Sequence, residues 1–216
     1  MVDRWKKIMN HEKKVRIGCA SAFWGDTTTA AKQLVEKSTL DYLVFDFLAE
    51  VTMSILAGAK NKNTEMGYAT DFVEQLAPLL SQIKEKNITV LSNAGGLNLS
   101  ACRKALMNEA EKAGIDLKIA LVIGDDLMQE FPRLMELGVK EIETNRPLPG
   151  PCLSINAYLG APGIVAALEQ GADIIITGRC VDSAMVLAPL IYEFGWTIND
   201  YDLLAAGSLA GHIMNA

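Results

Sequence analysis

Residue types that many metal and nucleophile sites need are scarce in this chain. Its 216 residues include two histidines, His11 and His212. The four cysteines are far apart and form no Cys-x-x-Cys pair: Cys19, Cys102, Cys152 and Cys180. Zinc sites and Ser-His-Asp sites need several imidazoles, clustered thiolates or one well-supported base, so both classes are disfavoured. We predict reduced cysteines that mostly fill space in the core.

The sequence also lacks a long apolar run and a broad basic surface. Its longest apolar stretches are interrupted by Pro162, Glu169 and Asp173 before they reach membrane-spanning length, and no apolar block follows the basic start. Lys and Arg total 20 against 26 Asp and Glu, which gives a net charge of −6. This balance disfavours nucleic acid as a partner. We predict a cytoplasmic protein without a membrane partner, with residues 1–14 as a flexible leader.

Half of the residues are hydrophobic, and short β-branched runs alternate with longer amphipathic ones. This alternation is typical of repeated β-α units and predicts an α/β fold, a mostly parallel sheet with helices on both faces (doubly wound). The predicted strands are 15–22, 41–47, 88–92, 117–123, a weaker one at 139–143, and 172–177. A partial (β/α) barrel produces the same periodicity and stays open as the alternative.

Helices are predicted between these strands, and one proline-rich loop separates two segments of the domain. The helical ranges are 25–37, 71–86, 99–113, a stretch from 126 through 137, 155–170 and 182–194. Asp26 or Thr27 is expected to cap the first of them, since a short side-chain oxygen can accept an unpaired helix amide. Residues 207–216 are apolar and small without a stop signal. We therefore expect residues 15–216 to be one domain that continues in a longer protein.

Polar residues follow almost every predicted strand. Ligands collect at the carboxyl ends of parallel strands, where helix N-termini present free amides, although polar turns also serve as caps. The candidate ligand-binding residues are Ser21, Trp24, Gly25, Asn93, Gly95, Gly96, Asn98, Thr177, Gly178, Arg179 and Asp182. The candidate catalytic residues are Asp46, Glu50 and Asp26.

Two of these turns have a specific chemistry. The adjacent glycines Gly95 and Gly96 let backbone amides approach a phosphate or carboxylate, although a tight turn explains them equally well. Arg179 can fork onto a carboxylate or phosphate, or it can pair with Asp182 at the start of the following helix.

The carboxylates alone allow a magnesium site, but a turn or cap explains the neighbouring Asp125 and Asp126 better. Asp26, Asp46, Asp125 and Asp126 are the residues concerned, and we predict no metal. A nicotinamide cofactor is disfavoured because Phe23 and Trp24 occupy the first turn, where a bound pyrophosphate requires glycines. The cofactor, if any, is unknown.

Several segments resemble the acyclic terpene utilisation A (AtuA) family, in order along the chain from about residue 15 to residue 211. The motifs are IGCASAFWGD at 17–26, DYLVFDFLAE at 41–50, GYATDF at 67–72, SNAGGLN at 92–98, NAYLGA at 156–161, TGR at 177–179 and DS at 182–183. The resemblance implies a component of acyclic terpene (citronellol and geraniol) catabolism, which proceeds through CoA thioesters. It implies no assigned reaction and no established catalytic residues.

Two functions remain open. The first is an enzyme with hydratase- or lyase-type chemistry on an acyl-CoA or branched carboxylic acid. Arg179 and the Gly95-Gly96 turn would hold the anion, and Asp46 or Glu50 would transfer the proton. The alternative is a non-catalytic subunit or scaffold that binds a pathway enzyme or forms a homo-oligomer. It is motivated by the apolar residues 207–216 and by the lack of a recognisable nucleophile or metal set.

Overall fold

A computed structural model describes residues 13–215, and across that range five strands form one sheet. The strands are β1 (Ile17–Ser21), β2 (Tyr42–Phe45), β3 (Thr89–Ser92), β4 (Ile119–Val122) and β5 (Ile174–Thr177). All neighbours pair in parallel in the order β1-β2-β3-β5-β4, with Leu91 opposite both Val44 and Ile175. The predicted parallel α/β fold is confirmed. The sheet is open, with β1 and β4 at its edges.

The predicted sixth strand, residues 139–143, is wrong. Ile142 is 92% exposed and Val139 is 39% exposed, and the segment makes only an isolated bridge from Lys140 to Pro147. β-branched residues favour a strand because they pack on a half-buried pleated surface. No such surface covers this segment, so its composition alone was misleading.

The helices follow the predicted pattern with shifted boundaries, except for the last one, which was not predicted. They are α1 (Ala30–Lys37), α2 (Glu50–Lys62), α3 (Thr70–Leu76), α4 (Leu80–Glu85), α5 (Leu99–Lys112), α6 (Phe131–Glu136), α7 (Pro162–Glu169), α8 (Ala184–Phe194) and α9 (Tyr201–Met214). Short 3₁₀ turns precede α4 (Ala77–Leu79) and α6 (Met128–Glu130).

Two of the predicted helices differ from the structure at prolines. The range 71–86 is divided into α3 and α4 by the 3₁₀ turn that contains Pro78. The range 155–170 becomes helical only at Pro162, because proline suits the first helical position and lacks the amide that an interior position needs. Before Pro162 the chain forms no helix, and Leu159 makes an isolated parallel bridge with Cys180.

The side chains of β2 show that helices cover both faces of the sheet. Leu43 and Phe45 belong to one apolar cluster with α1, α3, α4 and α5. Tyr42 and Val44 belong to a second cluster with α7 and α8, against which Met214 of α9 also packs. This alternation is the period of two expected of a strand buried on both sides. The doubly wound arrangement is confirmed.

α9 approaches α8 closely because two glycines face it. A Cβ on Gly211 would lie 2.8 Å from the carbonyl oxygen of Ser183, and one on Gly207 would lie 2.8 Å from Leu187. Because these two glycines have no side chains, the backbone of α9 lies directly against Ser183 and Leu187. The end of α9 is thereby held next to Asp182, at the edge of the sheet where the strands end, which we call the carboxyl rim.

At the opposite edge of the sheet, Lys13 forms an ion pair with Glu193 of α8. Its ammonium group lies 2.8 Å from Glu193, whose other oxygen accepts the hydroxyl of Tyr42 at 2.5 Å. The predicted flexible leader, residues 1–14, lies outside the described residues except for Lys13 and Lys14.

Candidate functional site

The Asp46 carboxyl lies at the centre of the carboxyl rim. It follows β2 directly, is 4% exposed, and accepts the side-chain amide of Asn93 at 2.6 Å and that of Asn215 at 3.1 Å. Asn93 is oriented in turn, because its own oxygen accepts the main-chain N–H of Phe47 at 2.7 Å. Three segments distant in sequence therefore meet on one carboxyl group.

The surroundings of Asp46 change its protonation. The pKa of Asp46 is raised from 3.8 to about 6, mainly by burial and also by the negative charge of Asp182. The hydrogen bond from Asn93 and the charge of Arg179 partly oppose this rise. A carboxyl group in this range holds its proton part of the time near neutral pH. The protonation of Asp46 therefore differs from that of an ordinary exposed aspartate.

Arg179, which follows β5, provides the positive charge of the rim, although its side chain is only 5% exposed. Its guanidinium lies 3.4 Å from Asp182 and 3.3 Å from Glu50, and it donates to the carbonyl oxygen of Leu48. The ring of Tyr158 covers it, with 4.1 Å between the guanidinium carbon and the ring centroid. The predicted pairing of Arg179 with Asp182 is confirmed.

The main chain at Arg179 is held by Asp125. The Asp125 carboxylate accepts the N–H of Arg179 at 2.8 Å and the side-chain amide of Asn156 at 2.9 Å. Gly178 leaves the space for it, since a Cβ there would lie 2.3 Å from an Asp125 oxygen. Burial raises the pKa of Asp125, and both hydrogen bonds oppose that rise. Asp125 therefore positions the arginine and explains why glycine precedes it.

The Gly95-Gly96 turn is buried within the protein. A Cβ on Gly95 would lie 2.6 Å from the carbonyl oxygen of Thr177, and one on Gly96 would lie 2.5 Å from Leu56. The amides of residues 94, 96, 97 and 98 all donate to acceptors within the chain. These contacts give the turn a packing role between β3, β5 and α2.

The other sequence candidates are divided between the rim and its supports. Asn98 caps α5 through Ala101 at 3.3 Å, and its amide also donates to the carbonyls of residues 64 and 66. Ser21 donates to the carbonyl of Phe23 at 2.7 Å, and Thr177 donates to that of Gly178 at 2.8 Å. These three side chains are engaged with the main chain.

The loop after β1 lies at the same rim. Asp26 accepts the N–H of Ala22 at 3.0 Å. Asp26 or Thr27 was expected to cap α1. That expectation is wrong, because the helix begins at Ala30 and Thr29 occupies its N-cap position. Trp24 is half-buried against the apolar residues beneath α2, and Gly25 is exposed.

The chain matches the family described as Acyclic terpene utilisation family protein AtuA over residues 15–216. It belongs to the AtuA family. Neither a curated protein nor a solved structure matches it significantly.

Two residues of this AtuA rim were missed in the sequence. The side-chain amide of Asn215 donates to Asp46 and to the carbonyl of Asp182 at 3.0 Å. Its side-chain oxygen accepts the thiol of Cys19 at 3.4 Å. Tyr158 stacks on Arg179 and donates to Glu50. Neither stands directly after a strand, so no positional rule indicates them. For Tyr158, the sequence signal is its position in a segment with a proline at each end, Pro151 and Pro162.

The described residues of this AtuA chain, 13–215, contain no group of three or more His, Cys, Asp and Glu arranged to hold a metal ion. Asp125 binds the amides of Arg179 and Asn156, and Asp126 accepts the N–H of Met128 at 2.9 Å. In the same range, no helix has both the length and the apolar character needed to cross a bilayer.

Proposed function

We propose that this AtuA-family chain acts on an anionic intermediate of acyclic terpene breakdown, a branched carboxylic acid or its CoA thioester. The ligand would bind at the carboxyl rim, and Asp46 would transfer the proton in a hydratase- or lyase-type step. The single observation that carries the proposal is the Asp46 carboxyl, buried at 4% exposure between two amide donors and close to Arg179.

Asp46 is preferred over the other two candidate acids by its environment. Its pKa of about 6 lets it both give and take a proton near neutrality. Hydrogen bonding by Tyr158 lowers the pKa of Glu50, so that side chain is an ionised partner of Arg179. Asp26 is exposed and accepts the amide of Ala22. Glu50 and Asp26 are therefore assigned no proton transfer here.

Arg179 is suited to hold the negative group of the ligand. Its guanidinium is fixed from several sides, and a fixed planar fork loses little freedom when it binds a carboxylate or phosphate. Asn93 supplies an amide donor beside Asp46 that is suited to polarise a carbonyl oxygen as negative charge develops on it.

Calorimetric titration of the full chain with CoA and with geranyl-type thioesters tests the proposal. We expect saturable heat with the thioester. Asp46→Asn should lower turnover of the thioester at least about 100-fold, because proton transfer is lost. The dissociation constant of the thioester should change less than about threefold. Asp116→Asn, an exposed carboxylate away from the rim, is the charge-matched control. A folded protein that gives no heat with any of these compounds would overturn the proposal.

A second candidate function, a non-catalytic subunit that binds a pathway protein or another copy of itself, is favoured by one surface. Tyr201, Leu209 and Ile213 recur at multiples of four along α9 and are 69%, 59% and 64% exposed. Exposed apolar rows of this kind are typical of interfaces. Light scattering of wild type and of Leu209→Ser, alone and with pathway proteins, tests it. A monomer without a partner in every mixture would contradict it.

A further inference from the structure

The carboxylate of Glu50 is bound by two groups of the rim at once. Its Oε1 atom lies 3.3 Å from a guanidinium nitrogen of Arg179 and also accepts the hydroxyl of Tyr158. One oxygen held by an arginine and a phenol is the arrangement expected for the carboxylate of a bound ligand. Here the protein supplies that carboxylate itself.

The two sides of this contact differ in how firmly they are held. Arg179 is 5% exposed, is covered by the Tyr158 ring at 4.1 Å, and is held by Leu48 and Asp182. Glu50 is 77% exposed in its side chain and stands at the first residue of α2. Exposed ion pairs contribute little, so Glu50 can leave at small cost while the arginine stays in place.

We propose that Glu50 occupies, in the free protein, a binding site for a single carboxylate formed by Arg179 and Tyr158, and that a carboxylate-bearing ligand displaces it. The proposal rests on the proposed function in one respect, that the ligand is anionic. It goes further by assigning the atoms that receive the carboxylate and by making Glu50 a competitor for the site.

The charges at the site favour an exchange of one carboxylate for another. When Glu50 leaves, the guanidinium retains Asp182 at 3.4 Å as its remaining paired carboxylate in the structure described. A ligand carboxylate replaces the departed charge, whereas a neutral group of the same shape does not. A site occupied most of the time by an internal competitor binds its ligand more weakly in proportion to the free fraction. Removal of the competitor should therefore strengthen binding.

The test compares wild type with Glu50→Ala by calorimetry, using 3-methylbut-2-enoate as the probe. We expect the dissociation constant to fall about five- to tenfold in the variant. The matching alcohol, 3-methylbut-2-en-1-ol, should show no such change, and inorganic phosphate distinguishes a carboxylate site from a general anion site. Glu109→Ala removes the same charge from a surface pair with Lys112 and should leave binding unchanged.

A second variant tests the other side of the site. In the Glu50→Ala background, Tyr158→Phe keeps the ring over Arg179 and removes the hydroxyl, so carboxylate binding should weaken about threefold. Binding to wild type that is not strengthened by Glu50→Ala overturns this inference and leaves the proposed function standing. Equal gains for carboxylate, alcohol and phosphate also overturn it. Absence of carboxylate binding to every variant overturns this inference, and absence of thioester binding as well overturns the proposed function.

Discussion

Asn215 donates its side-chain amide to the buried carboxyl of Asp46 at 3.1 Å, so the residue that follows α9 covers the carboxyl rim of the sheet. The same amide reaches the carbonyl of Asp182 at 3.0 Å. One side chain thus connects the loops after β2 and β5.

Asp46→Asn should change how stability depends on pH. The pKa of Asp46 is about 6 in the folded protein and 3.8 ordinarily, so the folded state keeps its proton to higher pH than the unfolded chain. Stability from this group is therefore complete below pH 4 and declines until the pH passes about 6, by at most about 3 kcal/mol. Relative to the variant, wild type should lose stability across that window.

Urea unfolding of both proteins at intervals from pH 4 to pH 7 measures the effect. Asp116→Asn, which removes an exposed carboxylate, controls for the change in net charge. Unfolding free energies of wild type and Asp46→Asn that run parallel through the window would show that Asp46 is ionised normally.

Asn215→Ala should uncover the thiol of Cys19. That thiol lies within hydrogen-bonding distance of the side-chain oxygen of Asn215 and of the carbonyl of Ser21. Burial raises its pKa, as do the charges of Asp46 and Asp26. We expect alkylation of Cys19 by iodoacetamide at pH 8 to become about fivefold faster, because access and solvation both increase.

The alkylation is followed by peptide mass spectrometry, with Cys152 as the internal reference for reagent and pH. Asn199→Ala, an exposed asparagine in the loop before α9, is the matched control. An unchanged rate at Cys19 in Asn215→Ala would mean that the end of α9 does not restrict access to the rim.

Gly178→Ala should be strongly destabilising. The added Cβ would lie 2.3 Å from an oxygen of Asp125, and that carboxylate cannot move without releasing the N–H of Arg179. We expect a loss of about 2–4 kcal/mol in the free energy of unfolding.

Gly58→Ala is the matched control, because Gly58 lies inside α2 and a Cβ there meets nothing within 4 Å. This second change should stabilise the protein by about 0.5–1 kcal/mol through helix propensity. Similar effects of the two substitutions in urea unfolding would remove the support that we assign to Asp125.

The sequence was most informative where burial and local chemistry agree. The run Tyr42–Phe45 is apolar throughout and became a strand covered on both faces. The segment 139–143 contains the β-branched residues Val139 and Ile142, but its side chains face solvent. Composition reports what a segment could bury and does not report whether another element lies over it. For the same reason the position of β5 between β3 and β4 could not be derived.

The rim was predictable in part. Asp46, Asn93, Arg179 and Asp182 all follow strands, and the rule that ligands collect at strand ends selected them. The same rule also selected Gly95, Gly178 and Asn98, whose roles concern close packing and capping. A glycine required by a neighbouring side chain cannot be told from one required by a ligand until the neighbour is known. Tyr158 and Asn215 reach the rim from segments that no strand-end rule covers.

The position of Asn215 has a consequence for synthesis on the ribosome. Its partners Cys19 and Asp46 emerge about 170 to 200 residues earlier, and contacts across such separations form late. During translation the first three strands can therefore associate while the acid between them is still open to water. Nascent chains stalled before residue 215 would lack the amide of Asn215 and leave that acid without this cover.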